Sequence, residues 1–410
     1  MKKFKLGVSL FSVAICLFLF SCVKDDVIEV SEEKLEEAPV IKFNQSTAIE
    51  GQYIIVYKQD VTPIQRRIIT KDNYESFTNE VKTFTHKVLK RNQIGDKVIM
   101  HAYAKTIQGA SLQLTDQEVS ILRKDKNIAY IEQDQIVSVT MGGPPGGGGG
   151  GGGSAAQVTP YGITRIGGAI DGTSAGTAWI IDSGIDLDHE DLNVDVSRSL
   201  SFLGGGGGNL SPEDQNGHGT HVAGTVGAID NEIGVVGAAA GATLVAIRVL
   251  DRRGSGSISG VIAGVDHVGA NASSGDAANM SLGGGQSSAL DAAVIAASST
   301  CPFALAAGNE STHANSSSPG RANGDNLYTV SSMNSSDNWS SFSNYGNPPV
   351  DYCAPGSSVY STYKGGGYAT LSGTSMAAPH VCGILLIGGI TSSGTVNNDP
   401  DGNADPIAHH

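Results

Sequence analysis

The chain has 410 residues, of which 40% are hydrophobic and 55 are glycine, which suits a loop-rich globular protein and excludes a fibrous or wholly disordered one. This length allows two or three domains. Residues 155–410 hold 7 Lys and Arg against 22 Asp and Glu, whereas residues 1–154 hold 19 against 18. Because so acidic a surface repels phosphate, nucleic acid is not expected as a partner.

The N-terminus has the layout of an export signal. Lys2, Lys3 and Lys5 precede an apolar run that is too short to span a bilayer comfortably, so residues 1–21 are predicted to be a cleaved signal peptide. The run ends LFSC, which resembles the lipobox of bacterial lipoproteins, with Cys22 as the acylated residue. Ordinary secretion with an incidental Cys22 is the alternative. Residues 22–48 are mostly acidic and poor in aromatics, which predicts a tether without a core.

Residues 49–141 read as a small α+β domain of order βαββαβ. A strand over 52–57 is followed by a helix whose apolar residues recur at helical spacing, and then by strands over 97–107 and 111–114. Thr115 and Glu118 form a capping box that opens a second helix, and residues 127–139 make the last strand. This order predicts an open-faced, ferredoxin-like sandwich.

A linker and a larger domain follow. Residues 142–154 (GGPPGGGGGGGGS) have the composition of a flexible linker. Residues 155–410 alternate apolar strands (179–181, 243–250, 277–282, 303–307) with helices (257–269, 289–298), which predicts a parallel α/β sheet flanked by helices. In such sheets, functional sites gather at the carboxyl ends of the strands.

Three motifs place chemically useful side chains at element ends. In WIIDSG, Asp182 ends a buried strand; in NGHGTHVAG, His218 begins a helix; in GTSMAAPH, Ser375 begins another helix. A serine there meets unpaired backbone N–H groups and the positive end of the helix dipole, which favour a nucleophile in acyl transfer, although an ordinary N-cap serine is the simpler alternative. Asp, His and Ser in this chain order are a known arrangement of the serine-hydrolase triad.

These motifs, with AAGNE around Asn309, resemble those of the subtilisin-like serine endopeptidases, the subtilases, and most closely the proteinase K branch. The resemblance implies that Ser375 attacks a peptide carbonyl, His218 moves the proton and Asp182 orients His218. It also implies that the Asn309 amide and the Ser375 N–H stabilise the oxyanion, and that no cofactor is needed for the chemistry.

The resemblance extends to substrate binding. It implies that Gly254, Ser255 and Gly256 pair with an extended peptide and that Ile258 borders the fourth subsite. The two walls of the first pocket would be formed by two apolar segments, so a broad preference for apolar side chains is expected there; the segments are Ser281, Leu282 and Gly283, and Ala306, Ala307 and Gly308. The glycines could instead serve tight turns only.

The IAYIEQD strand resembles the close of a subtilase pro-domain, which implies that residues 49–141 assist folding and then inhibit the peptidase. Residues 136–141 would then lie in the cleft with Met141 in the first pocket. Self-cleavage is therefore expected after Met141 or within the glycine run. The expected product is a monomeric extracellular peptidase, released from a precursor that touches the outer membrane or cell surface only through its lipid.

Calcium and the cysteines are less well specified. The resemblance suggests a structural calcium at Asp351 with carbonyl groups of Asp325 and Leu327, and the acidic loop 186–191 is a second candidate that could equally be a solvated face. Cys301, Cys353 and Cys382 allow at most one internal bridge, whose pairing the sequence does not choose.

Two other functions stay open. A catalytically silent surface-binding lipoprotein could use the same scaffold. His218 and His221 in HGTH could instead form a metal pair, although no acidic residue lies between them as in HExxH metal sites.

Overall fold

A computed structural model describes residues 37–43, 47–64, 67–139, 156–204 and 210–410. The predicted signal peptide, Cys22, the 142–154 linker and Met141 lie outside the described residues, as does most of the tether. Within the part that is described, no helix is both long enough and apolar enough to cross a bilayer.

The N-terminal domain, residues 37–139, has the predicted βαββαβ order with one short strand added in front. Its sheet runs β1-β5-β2-β4-β3, in which only the β1–β5 pair is parallel. The predicted capping box is formed, because Thr115 and Glu118 each accept the other's backbone N–H through a side-chain oxygen. The elements are β1 (Val40–Ile41), β2 (Ala48–Tyr57), α1 (Tyr74–Arg91), β3 (Ile99–Tyr103), β4 (Gly109–Gln113), α2 (Asp116–Leu122) and β5 (Ile128–Ser138).

Strand β2 is apolar on both faces because both faces of this sheet are covered. Tyr53 and Ile55 belong to the core beneath α1 and α2. Ile54 and Val56 belong instead to the core formed with helices of the large domain. The two domains thus share one apolar core across the back of the N-terminal sheet.

The large domain, residues 156–410, is built on a nine-stranded sheet of order β19-β20-β16-β15-β14-β12-β7-β10-β8, parallel except for the β19–β20 pair. This confirms the predicted α/β class. The strands are β6 (Ile170–Asp171), β7 (Thr177–Asp182), β8 (Leu200–Ser201), β9 (Ala239–Ala240), β10 (Thr243–Arg248), β11 (Ser255–Ser257), β12 (Ala277–Met280), β13 (Gly283–Gly284), β14 (Phe303–Ala306), β15 (Leu327–Met333), β16 (Val350–Pro355), β17 (Val359–Tyr363), β18 (Gly367–Leu371), β19 (Thr391–Thr395) and β20 (Pro406–His409).

Five helices and one 3-10 turn accompany these strands in the described residues of the domain. They are α3 (Tyr161–Arg165), α4 (His218–Gly227), α5 (Ile258–Asn271), α6 (Ser288–Ala297), the 3-10 turn Ala314–Ser316 and α7 (Thr374–Leu386). Helices α4 and α7 pack in one apolar cluster, while α5 and α6 pack in a second cluster that includes residues of β2. The predicted strands and helices of this domain are all present, with ends shifted by at most three residues.

Two buried carboxylates of β5 help to hold the domains together. Glu132 accepts the Ser287 hydroxyl and, at 3.2 Å, the Ala289 N–H at the start of α6. Asp134 accepts the Ser259 N–H at the start of α5, at 3.1 Å. Both side chains are fully buried, so each replaces water at a helix N-terminus that would otherwise have unsatisfied donors.

Candidate active site

Asp182 and His218 meet at the carboxyl end of β7. His218 Nδ1 lies 2.9 and 3.0 Å from the two Asp182 carboxylate oxygens, and both side chains are fully buried. Gly219 permits the approach, since a Cβ at that position would lie 2.1 Å from the Gly184 carbonyl oxygen and 3.2 Å from the Asp182 Cβ. Because a carboxylate only accepts, Nδ1 carries the proton and Nε2 is left with its lone pair, as a general base requires.

Ser375 is the second residue of α7 and is 2% exposed. Its hydroxyl donates to the Ser281 carbonyl oxygen at 3.1 Å, and the Ser281 hydroxyl donates to the Ser375 carbonyl oxygen at 2.8 Å. His218 Nε2 is buried and makes no hydrogen bond within the described residues. The structure therefore forms the Asp182–His218 pair and leaves the His218–Ser375 hydrogen bond unmade. Rotation of the Ser375 hydroxyl away from Ser281 is needed to make it.

Asn309 lies beside the start of α7. Its side-chain oxygen accepts the Thr374 N–H at 2.8 Å and the Thr374 hydroxyl at 3.1 Å, while the Thr374 hydroxyl oxygen accepts the Gly308 N–H at 3.1 Å. With the amide oxygen held on Thr374, the amide nitrogen is turned to the opposite side. The first turn of α7 adds backbone N–H groups without intrahelical partners, so donors for a negatively charged oxygen gather here.

The last strand of the N-terminal domain lies in the cleft. Ser138 stands opposite both Ser255 of β11 and Gly283 of β13, so β5 forms the centre of a three-stranded antiparallel ribbon. One residue further on, the Val139 N–H donates to the Gly254 carbonyl oxygen at 2.9 Å. The predicted peptide-pairing segment 254–256 is thus occupied by the chain itself. The predicted cleavage, after Met141 or within the glycine run, falls outside the described residues.

A cavity of about 350 Å³ opens beside Ser375 and Asn309. Of the two predicted walls, Leu282, Gly283, Ala306 and Gly308 line it, together with Gly320 and Thr374. Ser281 and Ala307 are fully buried and are not among the residues that line it. Ile258 is buried in the apolar cluster that contains Val137, the β5 residue opposite Gly256.

A charged residue outside the two predicted walls also lines this cavity. The exposed Glu310 lines the same cavity, and its carboxylate accepts the Asn309 N–H at 3.0 Å and the Asn344 amide at 2.7 Å. The letters AAGNE include this residue, but the pattern alone does not show on which side of Asn309 the carboxylate lies.

The first calcium candidate, at Asp351, has oxygen donors in the structure. Asp351 accepts the Thr329 N–H at 2.9 Å, and burial raises the pKa of its carboxyl to about 6. The Asp325 carbonyl oxygen already accepts the Ser298 hydroxyl at 2.9 Å but keeps a second lone pair. These oxygen donors are of the kind that calcium binds.

In the acidic loop, which is the second calcium candidate, the fully buried Asp191 accepts hydrogen bonds from other parts of the protein. Its carboxylate accepts from Asn231, the Val235 N–H and the Tyr368 hydroxyl. Among the described residues, no group of three or more His, Cys, Asp or Glu side chains is arranged to hold a metal ion.

His221 is turned away from His218. Its Nε2 lies 3.1 and 3.2 Å from the carbonyl oxygens of Val359 and Ala369, so it donates to β17 and β18. Burial, assisted by the nearby His218, lowers the pKa of His221 to about 3, which keeps the ring neutral. This geometry speaks against a His218–His221 metal pair. Cys301, Cys353 and Cys382 are all buried free thiols.

Known proteins resemble both domains. The sequence profile of the peptidase inhibitor I9 family matches residues 52–140, and that of the subtilase family, peptidase S8, matches residues 170–387. Both matches fall on the domains that the structure separates into a small sandwich and a large α/β sheet.

Individual relatives give the same result. Alkaline serine exoprotease A of Vibrio alginolyticus is 39% identical over 353 residues, which are 83% of this chain and 60% of the relative, so the chain spans well under the relative's full length. Extracellular serine proteinase of Thermus sp. strain Rt41A is 36% identical over 365 residues, 86% of this chain and 83% of the relative. A crystal structure of a cold-adapted subtilisin-like serine proteinase is 40% identical, with a TM-score of 0.53, covering 61% of this chain and 97% of that one.

Proposed function

This chain belongs to the subtilase family, and from that premise we propose that it is an exported serine endopeptidase made as a self-inhibited precursor. The observation that carries the proposal is the buried Asp182–His218 pair, together with Ser375 in the first turn of α7. In the proposed reaction, Ser375 Oγ attacks the scissile carbonyl and His218 Nε2 takes its proton, then returns it to the leaving amine. Asp182 holds the Nδ1 proton and stabilises the imidazolium.

The oxyanion would be received by the Asn309 amide nitrogen and the Ser375 N–H. Support comes from the Thr374 contacts, which fix the amide oxygen on the far side and so aim the nitrogen without cost during the reaction. Residues 49–141 would act as folding assistant and inhibitor, since β5 fills the peptide-pairing edges Ser255–Ser257 and Gly283–Gly284. Residues 155–410 would remain as the peptidase after cleavage near Met141.

Two finer assignments rest on sequence. The leader supports export and, through Cys22, lipidation of the precursor, with the lipid remaining on the N-terminal fragment; mass spectrometry of the secreted form tests both. The segment AAQVTPYGITRIGG supports a position nearest the proteinase K branch.

A silent surface-binding protein on the same scaffold is the competing function. A fluorogenic peptide assay combined with a serine-directed fluorophosphonate separates the two functions. Mature protein that neither cleaves the peptide nor takes the label would support the silent scaffold.

We expect a mixed preference in the first pocket, with apolar side chains favoured and basic ones accepted through Glu310. Replacing Glu310 by Gln should lower kcat/KM for a lysine substrate about 3- to 10-fold relative to a phenylalanine substrate, since an exposed charge pair contributes about 1 kcal/mol. The amide oxygen of the new Gln can still accept the Asn309 N–H. Glu232→Gln, an exposed acid that does not line the cavity, is the matched control; an unchanged Lys/Phe ratio in Glu310→Gln would remove Glu310 from specificity.

We propose that Asp351 and the carbonyl oxygens of Asp325 and Leu327 contribute to a structural calcium site. Calcium at about 100 times its Kd should then stabilise the folded state by about 2.7 kcal/mol, so EDTA should lower Tm. Asp351→Asn should abolish this response. Asp325→Asn should retain it, because the Asp325 side chain is exposed and only its carbonyl would take part. Equal EDTA responses in the wild type and Asp351→Asn would contradict this site.

A further inference from the structure

We propose that Asp214 is a second buried carboxylate that positions the Asp182–His218 pair for the proposed reaction. It belongs to none of the three motifs that carry the triad. The inference rests on the proposed function and extends it by one positioning residue.

Asp214 is 4% exposed and accepts five hydrogen bonds. Its Oδ1 accepts the Asn216 N–H at 2.8 Å, the Gly217 N–H at 2.8 Å and the Ser183 hydroxyl at 2.9 Å. Its Oδ2 accepts the Thr220 N–H at 3.0 Å and the Thr220 hydroxyl at 2.6 Å. A buried carboxylate with this many donors is held in one orientation.

These hydrogen bonds fix the residues that precede and follow His218 in the sequence. Gly217, directly before it, and Thr220, two residues after it, are tied to the same carboxylate. Gly219 is tied to the Ser183 hydroxyl oxygen at 3.0 Å. The first turn of α4 therefore cannot shift or rotate without breaking bonds to Asp214 or Ser183, and the imidazole shifts with that turn.

The same network reaches the other member of the pair. Ser183 follows Asp182 directly, and its N–H donates to Asp182 Oδ1 at 2.7 Å, while its hydroxyl donates to Asp214. Asp214 thus sets the distance between the end of β7, which carries Asp182, and the start of α4, which carries His218. A neutral loop could fix the same geometry, but the carboxylate also adds a negative charge at the first turn of α4, which carries His218, and this charge favours the imidazolium formed in the reaction.

Asp214 makes no ion pair with a described Lys or Arg. Arg248 of β10 interacts with it electrostatically but binds the Ser211 carbonyl oxygen and the Gln215 side chain instead. The other titratable groups that face Asp214 are Glu213 beside it and the Tyr363 phenol, whose hydroxyl donates to the Asn216 carbonyl oxygen at 3.2 Å. Among the described residues, no Lys or Arg therefore binds the Asp214 carboxylate directly.

The test compares Asp214→Asn with Glu213→Gln in the full chain, with active sites counted by fluorophosphonate labelling. The two variants remove the same charge from adjacent positions, but Glu213 accepts only the Leu187 N–H within the described bonds. We expect Asp214→Asn to lose about 10- to 100-fold in kcat at nearly constant KM, the scale of one charge-assisted hydrogen bond. Its profile of kcat/KM against pH should move to lower pH, because the imidazolium is less stabilised. Glu213→Gln should show neither change.

If Asp214→Asn does not mature, Ser183→Ala carries the test, since it deletes two bonds of the network, those of the Ser183 hydroxyl to Asp214 and to the Gly219 N–H, and keeps the charge. It should lower kcat about 3- to 10-fold with no displacement of the pH profile. Wild-type kcat in Ser183→Ala, or equal displacement of the profile in Asp214→Asn and Glu213→Gln, would overturn the inference. Should the wild type itself be inactive and unlabelled, the proposed function fails; an active wild type with a normal Asp214→Asn overturns the positioning role alone.

Discussion

Replacing Ser375 by Ala should abolish peptidase activity and leave the chain as an uncleaved precursor. The alanine removes the hydroxyl that is proposed to attack the scissile carbonyl, so no acyl intermediate can form. A loss of about 10⁵-fold or more in kcat is expected, the scale measured for loss of the nucleophile in subtilisin. The fold should survive, because the Ser375 side chain makes one described hydrogen bond, to the Ser281 carbonyl oxygen.

Ser372→Ala is the control for this experiment. It lies three residues upstream, and its hydroxyl accepts the Ser358 N–H rather than facing the cleft. It should mature and cleave peptides like the wild type. A Ser375→Ala chain that still processes itself, shown by electrophoresis and by the N-terminal sequence of the product, would contradict the proposed mechanism.

Asp182→Asn should lower kcat about 10⁴-fold while preserving the fold. The Ser183 N–H donates to Asp182 Oδ1 at 2.7 Å, so the amide oxygen of the asparagine takes that place and its NH₂ group faces His218 Nδ1. Nδ1 must then accept, which moves the ring proton to Nε2. An imidazole with Nε2 protonated cannot take the proton of Ser375.

The matched control is Asp276→Asn, which changes a buried carboxylate at the opposite end of β7. Asp276 accepts the Thr177 N–H and the Trp179 indole N–H, so its replacement should cost stability but retain kcat per labelled active site. Tm and kcat measured together separate the two effects. Equal losses of kcat in both variants would mean that Asp182 acts only through the stability of β7.

Short motifs were enough to predict where Asp182, His218 and Ser375 lie, because each stands at an element end that apolar periodicity marks. The parallel sheet then brings carboxyl ends of strands to one edge. The direction of the Ser375 hydroxyl could not be predicted in this way, since it depends on whether the hydroxyl donates to the Ser281 carbonyl oxygen or to His218.

Asp214 and Glu310 were missed for a related reason. Asp214 lies in a polar stretch, SPEDQNG, that looks like a solvated loop, and only the folded chain shows that its donors come from Ser183 and the first turn of α4. The position of the Glu310 carboxylate is similarly set by hydrogen bonds from the Asn309 N–H and the Asn344 amide, and Asn344 lies 34 residues away in sequence. Long-range hydrogen bonds leave no periodic signal in the sequence.

The way β5 is held has a consequence for how latency ends. A substrate can replace only the short stretch of β5 that pairs with β11 and β13. Glu132 and Asp134 bind the starts of α6 and α5 outside that stretch. Incoming peptides therefore cannot displace the N-terminal domain by occupying the groove alone. After the chain is cleaved, this domain should stay bound to the peptidase. Release then requires digestion of the bound N-terminal domain. The first peptidase molecules to be freed would therefore determine the rate at which the remaining molecules become active.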